Sequence, residues 1–379
     1  MSIEGKKLVV ISHTLHAQNK DEQIVGWGPT ISEINYLSNH WEEVVHVACF
    51  TKESSDASML PYTNTNIRFR AIPTFGGVRF VDKLSVFTNA FAIIQIVLKE
   101  VKNASHVQIR VPMGIGVYVL PIFLFIPRKF ILWVKYANNW GNVSSSLGYR
   151  FQRWFLDKNF LKCAVTINGF WPNQKKHLKS FENPCITQEQ FEKGKNIEKS
   201  FDRKLTVIFA GRIEEAKGFD LVMDVLKALP QERFREWVFI GEGTLKEPLM
   251  KLCLEVGIPA KFMGFLSQSK VHKYLETADI LILPSKSEGF PKIVAEAWNY
   301  QVIPLVSPVG SLPHYLEHGK NGFMMDNVSE ESLNTAFEQL LKMTPQELQG
   351  IAQNGQELAH KFTFEYYYKH LRKGVFLDT

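Results

Sequence analysis

Short apolar runs alternate with longer helix-like segments along most of the chain, and this alternation restricts the fold more than any other feature. Runs of about four to eight apolar residues are typical of buried strands. They lie at 8–12, 44–50, 67–72, 106–111, 130–136 and 163–169, and then at 205–211, 237–243, 261–265, 279–285 and 302–307. Strands separated by helices form parallel sheets. We therefore predict an α/β protein with two Rossmann-like, doubly wound parallel-sheet domains that face a central cleft, where ligands bind at the strands' carboxyl ends.

The length of the chain also indicates two domains, because 379 residues exceed the usual size of one. The segment 181–204 is polar, lysine-rich and poor in periodic apolar residues, which is typical of a domain boundary. We place the first domain at 1–186 and the second at 187–361. No internal repeat or low-complexity tract accompanies this division.

Composition describes an ordinary soluble protein, with 45% hydrophobic and 22% charged residues. The N-terminal KKLVVISHT lacks the small-residue cleavage site of a secretory signal, so we expect none. The cysteines at 49, 163, 185 and 253 form no C-x-x-C pair. This spacing predicts free thiols in a reducing cytosol and argues against a zinc site.

Positive charge is concentrated in the first part of the chain. Residues 1–200 contain 24 Lys and Arg against 15 Asp and Glu, whereas residues 201–379 contain 20 against 23. The asymmetry suggests that the first domain meets an anionic partner, such as a membrane surface or a phosphorylated or lipid-linked acceptor. The chain has no nucleic-acid-binding motif, so we expect no nucleic acid partner. The alternative, that this charge asymmetry of the surface has no function, stays open.

A stretch of seventeen uncharged residues, 111–127, separates Arg110 from Arg128. Its length is at the lower limit for a membrane-spanning helix, and three prolines interrupt it. Three interpretations stay open: a transmembrane helix, a buried strand–loop–helix, and an apolar face that dips into a membrane interface beside basic residues.

The stretch SEGFPKIVAE contains two glutamates, Glu288 and Glu296, on either side of a predicted helix start. The apolar run before it predicts a strand, and Pro291 suits the first turn of a helix. Eight helical residues would separate the acids by roughly 12 Å, whereas glycosidase carboxylate pairs need about 5 to 9.5 Å. We infer that the two acids hold different parts of one long ligand. The alternative, a helix cap and a solvated helix charge, stays open here.

Other loops of the second half carry residues suited to phosphate. Arg212 and Lys217 follow the strand at 205–211, and both side chains bind phosphate oxygens in proteins. Glycines recur in the loops after the next strands, and the first residues of the helix after Pro291 offer free N–H groups to an anion. This ordered series suggests a diphosphate ligand with a polyhydroxylated group at one end.

These motifs resemble those of retaining GT-B glycosyltransferases of family 4, in the glycogen-synthase-like clan that uses sugar nucleotides. The resemblance rests on GRIEEAKG, IGEG, FMGFLS, ADILILPSKSEGFPKIVAEA with its E-x7-E pair, and VGSLPHYLEHGKNGF. It covers about 205–371. It implies that the second domain binds the nucleotide sugar and that the first binds the acceptor. A final helix within 362–379 would cross back to complete the first domain.

The resemblance also implies roles for individual residues. Arg212 and Lys217 would bind the donor diphosphate, and Glu288 would contact the donor sugar, so these three form the expected catalytic set. Glu296 would bind the ribose hydroxyls. The other expected donor-binding residues are glycine-rich or backbone contacts: Gly26, Gly28, Gly211, Gly241, Gly264, Gly289, Phe290 and Pro291.

The first domain is harder to assign. Gly26 and Gly28 would form the loop that faces the donor phosphates, although Trp27 separates glycines that are adjacent in the family. Four residues near predicted strand ends are candidates for acceptor binding: His13, Arg110, Asn138 and Asn139.

Together these features predict a retaining glycosyltransferase that moves a sugar from a UDP- or GDP-sugar to the hydroxyl of an anionic or lipid-linked glycan acceptor. Bacterial cell-surface polysaccharide or glycolipid assembly is the expected setting, in the cytoplasm or peripherally at the inner face of the plasma membrane. The scheme requires no metal or other cofactor, because two cations and a helix N-terminus cover the diphosphate charge. Rival hypotheses are a sugar-nucleotide epimerase, a pyridoxal-dependent phosphorylase and a non-enzymatic sugar-nucleotide-binding protein.

Overall fold

The structure, a computed structural model, describes residues 4–53, 58–75, 85–141 and 146–377. The chain divides into two compact units, Met1–Phe181 with Tyr368–Thr379 (unit 1) and Glu182–Tyr367 (unit 2). The divisions lie after residues 181 and 367, whereas the sequence placed them after 186 and 361. The backbone explains the difference, because Cys185 and Ile186 donate hydrogen bonds to the Phe362 carbonyl and so belong to unit 2.

Ten strands of the described residues form one sheet in unit 1. They are β1 (Gly5–Ile11), β2 (His16–Gln18), β3 (Ile24–Trp27), β4 (Trp41–Phe50), β5 (Met59–Pro61), β6 (Ile67–Pro73), β7 (His106–Val111), β8 (Ile131–Tyr136), β9 (Ala164–Ile167) and β10 (Leu178–Ser180). The helices are α1 (Gly28–Ser38), α2 (Ala90–Val101), α3 (Gly116–Ile122) and α4 (Leu147–Asp157). The strands in the order β6-β4-β1-β7-β8-β9-β10 are all parallel. From β1 the chain first adds strands on one side of the sheet (β4 and β6) and then on the other (β7 to β10), so the topological switch point lies between β1 and β7.

Three short strands extend the unit 1 sheet in a way that the sequence did not predict. β2 joins β4, and β3 pairs antiparallel with both β2 and β5. Gly26 therefore lies within β3, paired with His16 and Leu60, and not in a phosphate-facing loop. A side chain at Gly26 would meet the His16 ring at 2.5 Å, which explains the glycine by close packing. Gly28 does begin α1, as predicted.

Unit 2 contains a six-stranded parallel sheet in the order β13-β12-β11-β14-β15-β16. The strands are β11 (Leu205–Ala210), β12 (Phe234–Ile240), β13 (Ala260–Phe262), β14 (Ile280–Leu283), β15 (Ile303–Val306) and β16 (Phe323–Met324). The helices are α5 (Gln188–Lys195), α6 (Phe219–Ala228), α7 (Lys246–Val256), α8 (Gln268–Leu275), α9 (Lys292–Asn299), α10 (Glu330–Lys342), α11 (Pro345–Ala359) and α12 (Phe364–Leu371). The last four residues of α12 belong to unit 1. This is the doubly wound order, and the predicted α/β class with parallel sheets is confirmed.

The C-terminal residues pack on unit 1. The Tyr368 ring stacks on His40 with centroids 3.5 Å apart, and its hydroxyl donates to Glu4 at 2.8 Å. Phe376 meets the rings of Trp133 and His106 edge-on at 5.3 and 5.0 Å. These apolar contacts explain why residues 368–379 belong to the first unit although they follow the second in sequence.

The uncharged stretch at 111–127 is not a membrane span. Among the described residues, no helix is both long and apolar enough to cross a lipid bilayer. Val111 ends β7, α3 follows, and the side chains of Met113 and Val119 are fully buried. The strand–loop–helix interpretation therefore holds for the first part of the stretch. The end of the stretch is not buried as that interpretation expects, because Leu124 and Phe125 are exposed.

Candidate functional site

The strand order of unit 2 places β11 and β14 side by side, where the chain turns from one half of the sheet to the other. In open α/β sheets ligands bind outside the carboxyl ends of the strands at such a switch point. The loop after β11 carries Arg212 and Lys217, and the loop after β14 carries Glu288. The fold therefore brings the three expected catalytic residues to the same edge of one sheet.

Lys217 and Glu288 form an ion pair between the two loops, from Nζ to Oε1. Both side chains are largely shielded, 22% and 14% exposed, so this pair is less screened by water than a surface pair. Arg212 is different: its side chain is 65% exposed, and its partner is Glu214 at 3.3 Å. An exposed pair of this kind contributes little stability. An incoming anion can therefore replace Glu214 at small cost.

Lys286 ties the same two loops together independently of the Lys217–Glu288 pair. Its backbone N–H donates to the Ala216 carbonyl at 3.0 Å. Its Nζ lies 2.8 Å from carboxylate oxygens of both Glu215 and Asp220, and these hydrogen bonds raise the pKa of Lys286. The loop that carries Lys217 is thus anchored at several points.

Two glycines allow backbone segments at this edge to approach closely. Gly218 has φ +76°, and a Cβ there would lie 2.1 Å from the Pro284 carbonyl oxygen. Gly310 has φ +61°, and a Cβ there would lie 2.1 Å from the Gly289 oxygen. Both positions therefore require glycine, for conformation as well as for space. Ser311 completes the contact, since its N–H donates to the Gly289 carbonyl at 2.9 Å.

The predicted glycines after β11, β12 and β13 lie in neighbouring loops. Gly211 donates its N–H to the Ile240 carbonyl at 2.9 Å, and Gly241 donates to the Gly264 carbonyl at 2.8 Å. These hydrogen bonds continue the sheet pairing just beyond the strand ends. The three glycines therefore form a narrow, side-chain-free border along the edge that carries Arg212.

The helix after the glutamate turn begins without a side-chain cap. Pro291 is the N-cap residue of α9 and not its first residue, and it makes no side-chain cap hydrogen bond. Glu288 thus does not cap the helix. Phe290 points into the core, stacked on Phe362 at 4.7 Å, which holds the turn in place. The N-terminus of α9 carries the partial positive charge of a helix start, which favours an anion.

Glu296 is buried on α9 and is not a solvated helix charge. Its Oε1 accepts a hydrogen bond from Gln268 Nε2 at 2.7 Å, and His272 Nε2 lies 3.7 Å from the same oxygen. Burial alone would raise the pKa of Glu296, but His272, Gln268 and Lys292 outweigh it and hold the pKa below its usual value. The side chain is therefore a carboxylate acceptor at neutral pH.

Unit 1 has its own cavity at the corresponding edge of its sheet, with a volume of about 520 Å³. Three of the predicted acceptor residues line it: His13 after β1, Arg110 near the end of β7 and Asn138 after β8. Asn139 does not line it. Its Oδ1 accepts the Gly141 N–H at 2.9 Å, and this closes a turn.

Arg110 belongs to a buried ionic group behind this cavity. Glu33 of α1 is fully buried, and its two oxygens lie 2.9 Å from Arg110 Nη1 and 2.6 Å from Lys135 Nζ. Arg110 Nη1 is also 3.4 Å from Gln108 Oε1. Both contacts use Nη1 of a guanidinium that has five N–H donors, and Arg110 also lines the cavity.

A hydrogen-bonded chain of four side chains supports the same cavity wall. Ser12 Oγ lies 2.8 Å from His46 Nε2, and the Tyr62 hydroxyl lies 2.7 Å from His46 Nδ1 and 2.8 Å from His16 Nε2. His16 Nδ1 faces the Thr14 carbonyl at 2.9 Å and must donate. Burial lowers the pKa of His16 to about 4 and holds the pKa of His46 well below its usual value. Both rings are therefore neutral at pH 7.

Sequence reasoning missed several residues that shape these sites. Gln268 and His272 contact Glu296 from α8, and Lys286 braces the loops that carry Lys217 and Glu288. Gly310 lies in the motif VGSLPHYLEHGKNGF that the sequence analysis singled out, but its close approach to Gly289 was not predicted. Among the described residues, no group of three or more His, Cys, Asp or Glu is placed to hold a metal ion.

The second unit matches a known family. Residues 190–358, most of unit 2, match the family model described as "Glycosyl transferases group 1". The sulfoquinovosyl transferase SQD2 of Arabidopsis thaliana is 32% identical over 141 residues, which cover 36% of this chain and 27% of that protein. The amylovoran biosynthesis glycosyltransferase AmsK of Erwinia amylovora is 26% identical over 138 residues, 34% of each chain. The matches thus span about a third or less of these relatives.

Solved structures extend the likeness to the whole chain. HepE of Anabaena, in a complex with UDP and glucose, superposes with a TM-score of 0.67 at 14% identity and covers 99% of this chain and all of its own. At this identity the match shows the fold alone. The predicted GT-B fold is confirmed. Together with the family match in unit 2, it supports the prediction that the chain is a glycosyltransferase.

Proposed function

We propose that the protein is a retaining glycosyltransferase of family 4 that uses a nucleoside-diphosphate sugar as donor. One observation carries the proposal: Lys217 and Glu288 form an ion pair at the switch point of unit 2, and Arg212 and the N-terminus of α9 lie in loops at the same sheet edge. Two cations and the partial positive charge of a helix N-terminus together suit a diphosphate. The family match to unit 2 and the buried Glu296 support the same assignment.

In the proposed reaction, the bond between the anomeric carbon and the diphosphate oxygen breaks, and the acceptor hydroxyl oxygen bonds to that carbon on the same face. The hydroxyl proton leaves with the diphosphate. Arg212, Lys217 and the α9 N-terminus stabilise the negative charge that develops on the leaving group. Glu288 contacts the donor sugar, and Glu296 accepts hydrogen bonds from the ribose. The scheme calls for no metal or other cofactor.

The acceptor is proposed to bind in the unit 1 cavity. His13 and Asn138 offer polar groups to a sugar hydroxyl, and Arg110 offers a cation held in place by Glu33. An acceptor with a carboxylate or phosphate group fits this wall better than a neutral one, because a guanidinium pairs with such groups through two hydrogen bonds. An anionic or lipid-linked glycan therefore remains the proposed acceptor.

The proposed setting is bacterial cell-surface polysaccharide or glycolipid assembly, in the cytoplasm and peripherally at the inner face of the plasma membrane. A relative named for amylovoran biosynthesis supports the polysaccharide part. The positive balance of residues 1–200 supports an encounter with an anionic surface or acceptor.

Nucleotide binding tests the donor site directly. UDP, GDP, ADP and CMP are titrated against the wild-type protein and against Arg212→Ala while the melting temperature is followed. A ligand at about 100 times its Kd stabilises the folded protein by roughly 2.7 kcal/mol. We expect UDP or GDP to raise the melting temperature of the wild type and Arg212→Ala to lose most of that shift.

The matched control is Arg235→Ala, which removes another exposed arginine with a neighbouring glutamate partner, Glu236 at 3.1 Å. It should keep the full nucleotide response. If no nucleotide stabilises the wild type, or if both variants respond like the wild type, Arg212 is not in a donor site and the proposal fails.

A further inference from the structure

One face of unit 1 carries exposed aromatic and aliphatic side chains where a soluble surface would be polar. Leu124 and Phe125 follow α3 and are 46% and 82% exposed, and Trp154 on α4 and Phe160 after it are 50% and 43% exposed. Large apolar groups exposed in one place mark an interaction surface more often than chance.

These side chains lie on neighbouring segments of unit 1. The Trp154 and Phe160 rings are 5.3 Å apart, and Arg128 donates from Nη1 to the Leu161 carbonyl, which brings the 124–128 turn against the segment after α4. Residues 150, 154 and 158 recur at helical spacing on the outward side of α4, whereas Gln152, Phe155 and Leu156 are buried. The aromatic face is defined here as Leu124, Phe125, Arg150, Trp154, Lys158 and Phe160.

The chain segment that carries the aromatic face is strongly basic. Residues 101–181 contain twelve Lys and Arg and a single acid, Asp157. Asp157 is itself paired with Lys175 at 2.5 Å. A helix with lysine and arginine beside tryptophan and phenylalanine is typical of segments that lie in a membrane interface. A second copy of this chain fits less well, because two such faces would bring like charges together.

We infer that the aromatic face docks on an anionic lipid bilayer, with Phe125, Trp154 and Phe160 inserted among the headgroups and Arg150 and Lys158 over the lipid phosphates. This inference names the surface for the membrane attachment proposed above and rests on that part of the proposed function. It does not depend on glycosyl transfer itself, because the face lies in unit 1 and the donor residues lie in unit 2.

Vesicle co-sedimentation tests the inference with the full chain. The vesicles contain equal parts of phosphatidylglycerol and phosphatidylcholine, or phosphatidylcholine alone. We expect the wild type to bind the anionic vesicles and to be released by high salt, since screening weakens attraction to lipid phosphates. Phe125→Ser with Trp154→Ser should weaken binding at least about tenfold, because two large apolar side chains lose their burial.

Arg150→Gln with Lys158→Gln should weaken binding to the anionic vesicles by about fivefold per charge. The matched control is Leu254→Ser with Lys251→Gln, an exposed leucine and lysine on α7 of unit 2. It should bind vesicles like the wild type. All variants should keep the wild-type melting temperature and nucleotide response, which separates a failure of docking from a failure of the donor site.

Three outcomes overturn the inference: no binding of the wild type to anionic vesicles, equal binding by the aromatic double variant, or an equal loss in the α7 control. A change from dimer to monomer in the aromatic variant, without vesicle binding by the wild type, would assign the face to contact between copies instead.

Discussion

Lys217 and Glu288 are joined across the switch point of the unit 2 sheet, so the cation expected to meet the diphosphate is already held by the acid expected to meet the sugar. The pair fixes the position of both side chains before any ligand binds. A diphosphate would compete with Glu288 for Lys217. The two residues should therefore contribute differently to nucleotide binding and to turnover, and this difference can be measured.

Glu288→Gln should separate the two contributions. The change removes a negative charge close to the proposed diphosphate position and frees Lys217, so we expect UDP or GDP to bind at least as tightly as to the wild type. Turnover should fall by about a hundredfold or more, because an interaction with the reacting sugar is lost. Isothermal calorimetry and donor hydrolysis rates measure these quantities. Weaker nucleotide binding with unchanged turnover would contradict the assignment.

Glu296→Gln should reduce discrimination at the ribose. The wild-type carboxylate accepts ribose hydroxyls in our proposal, and hydrogen bonds to charged groups contribute about 1.5–3 kcal/mol. We expect the wild type to bind UDP more tightly than 2′- or 3′-deoxy-UDP by about that amount, and the variant to bind all three nearly equally. Calorimetric Kd values decide the matter. If the preference persists in the variant, Glu296 serves only to hold Gln268 and His272.

Gly218→Ala should destabilise the protein by about 1–3 kcal/mol or more, because alanine at φ +76° is strained and its Cβ would press on the Pro284 carbonyl. Gly350→Ala is the control. Gly350 lies within α11, and a Cβ there has no atom within 4 Å. It should stabilise the protein by about 0.5–1 kcal/mol. Denaturant unfolding gives both values, and a harmless Gly218→Ala would refute the close approach.

Unit 1 should lose stability in mild acid. Burial lowers the pKa values of His16, His40 and His106 to about 4, from 6.5 in an unfolded chain. Between pH 6.5 and 4 the unfolded chain therefore binds more protons, so the free energy of unfolding falls as pH falls, by up to about 1.4 kcal/mol per pH unit for each histidine.

Hydrogen–deuterium exchange, corrected for intrinsic rates, measures this loss in each unit separately. Protection of β1, β4 and β7 should decline below pH 6.5. Unit 2 is the internal reference. Burial lowers the pKa of His314 there, but this side chain is only half-buried, so we expect unit 2 to lose less protection than unit 1. Equal loss in both units would show that these histidines do not control acid stability.

Arg110→Lys should weaken an anion in the unit 1 cavity without breaking the ion pair with Glu33. With UDP saturating the donor site, inorganic phosphate should raise the melting temperature of the wild type more than that of the variant, because lysine lacks the guanidinium's paired donors. Arg70→Lys, an exposed arginine near Glu100 at 3.7 Å, is the control and should respond like the wild type. Equal phosphate responses from all three would remove Arg110 from the acceptor site.

Eleven of the parallel strands were predictable because each contains a short run rich in apolar residues, and every predicted run overlaps a parallel strand of the two sheets. β2, β3 and β5 were not predictable in this way. They have three or four residues each, and Gly26 sits among them for packing reasons that appear only in three dimensions. β10 and β16 are similarly short edge strands.

The residues of the proposed donor site could be found from the sequence because they lie in consecutive loops at one sheet edge, and topology brings such loops together. The Glu33–Arg110–Lys135 group was not, since it joins a helix to two strands over more than a hundred residues of sequence. Gln268 gave no signal for a related reason: its contact with Glu296 depends on how α8 packs beside α9. Motifs predict which loops meet, whereas packing decides which side chains touch.

The Lys286 contacts have a consequence for how a ligand would be received. Because Lys286 holds Ala216, Glu215 and Asp220, the loop around Lys217 stays in place when Lys217 exchanges Glu288 for another anion. The entropy of ordering that loop is lost during folding and not during association. A ligand then meets a preorganised surface, and its affinity is not reduced by the need to immobilise the backbone.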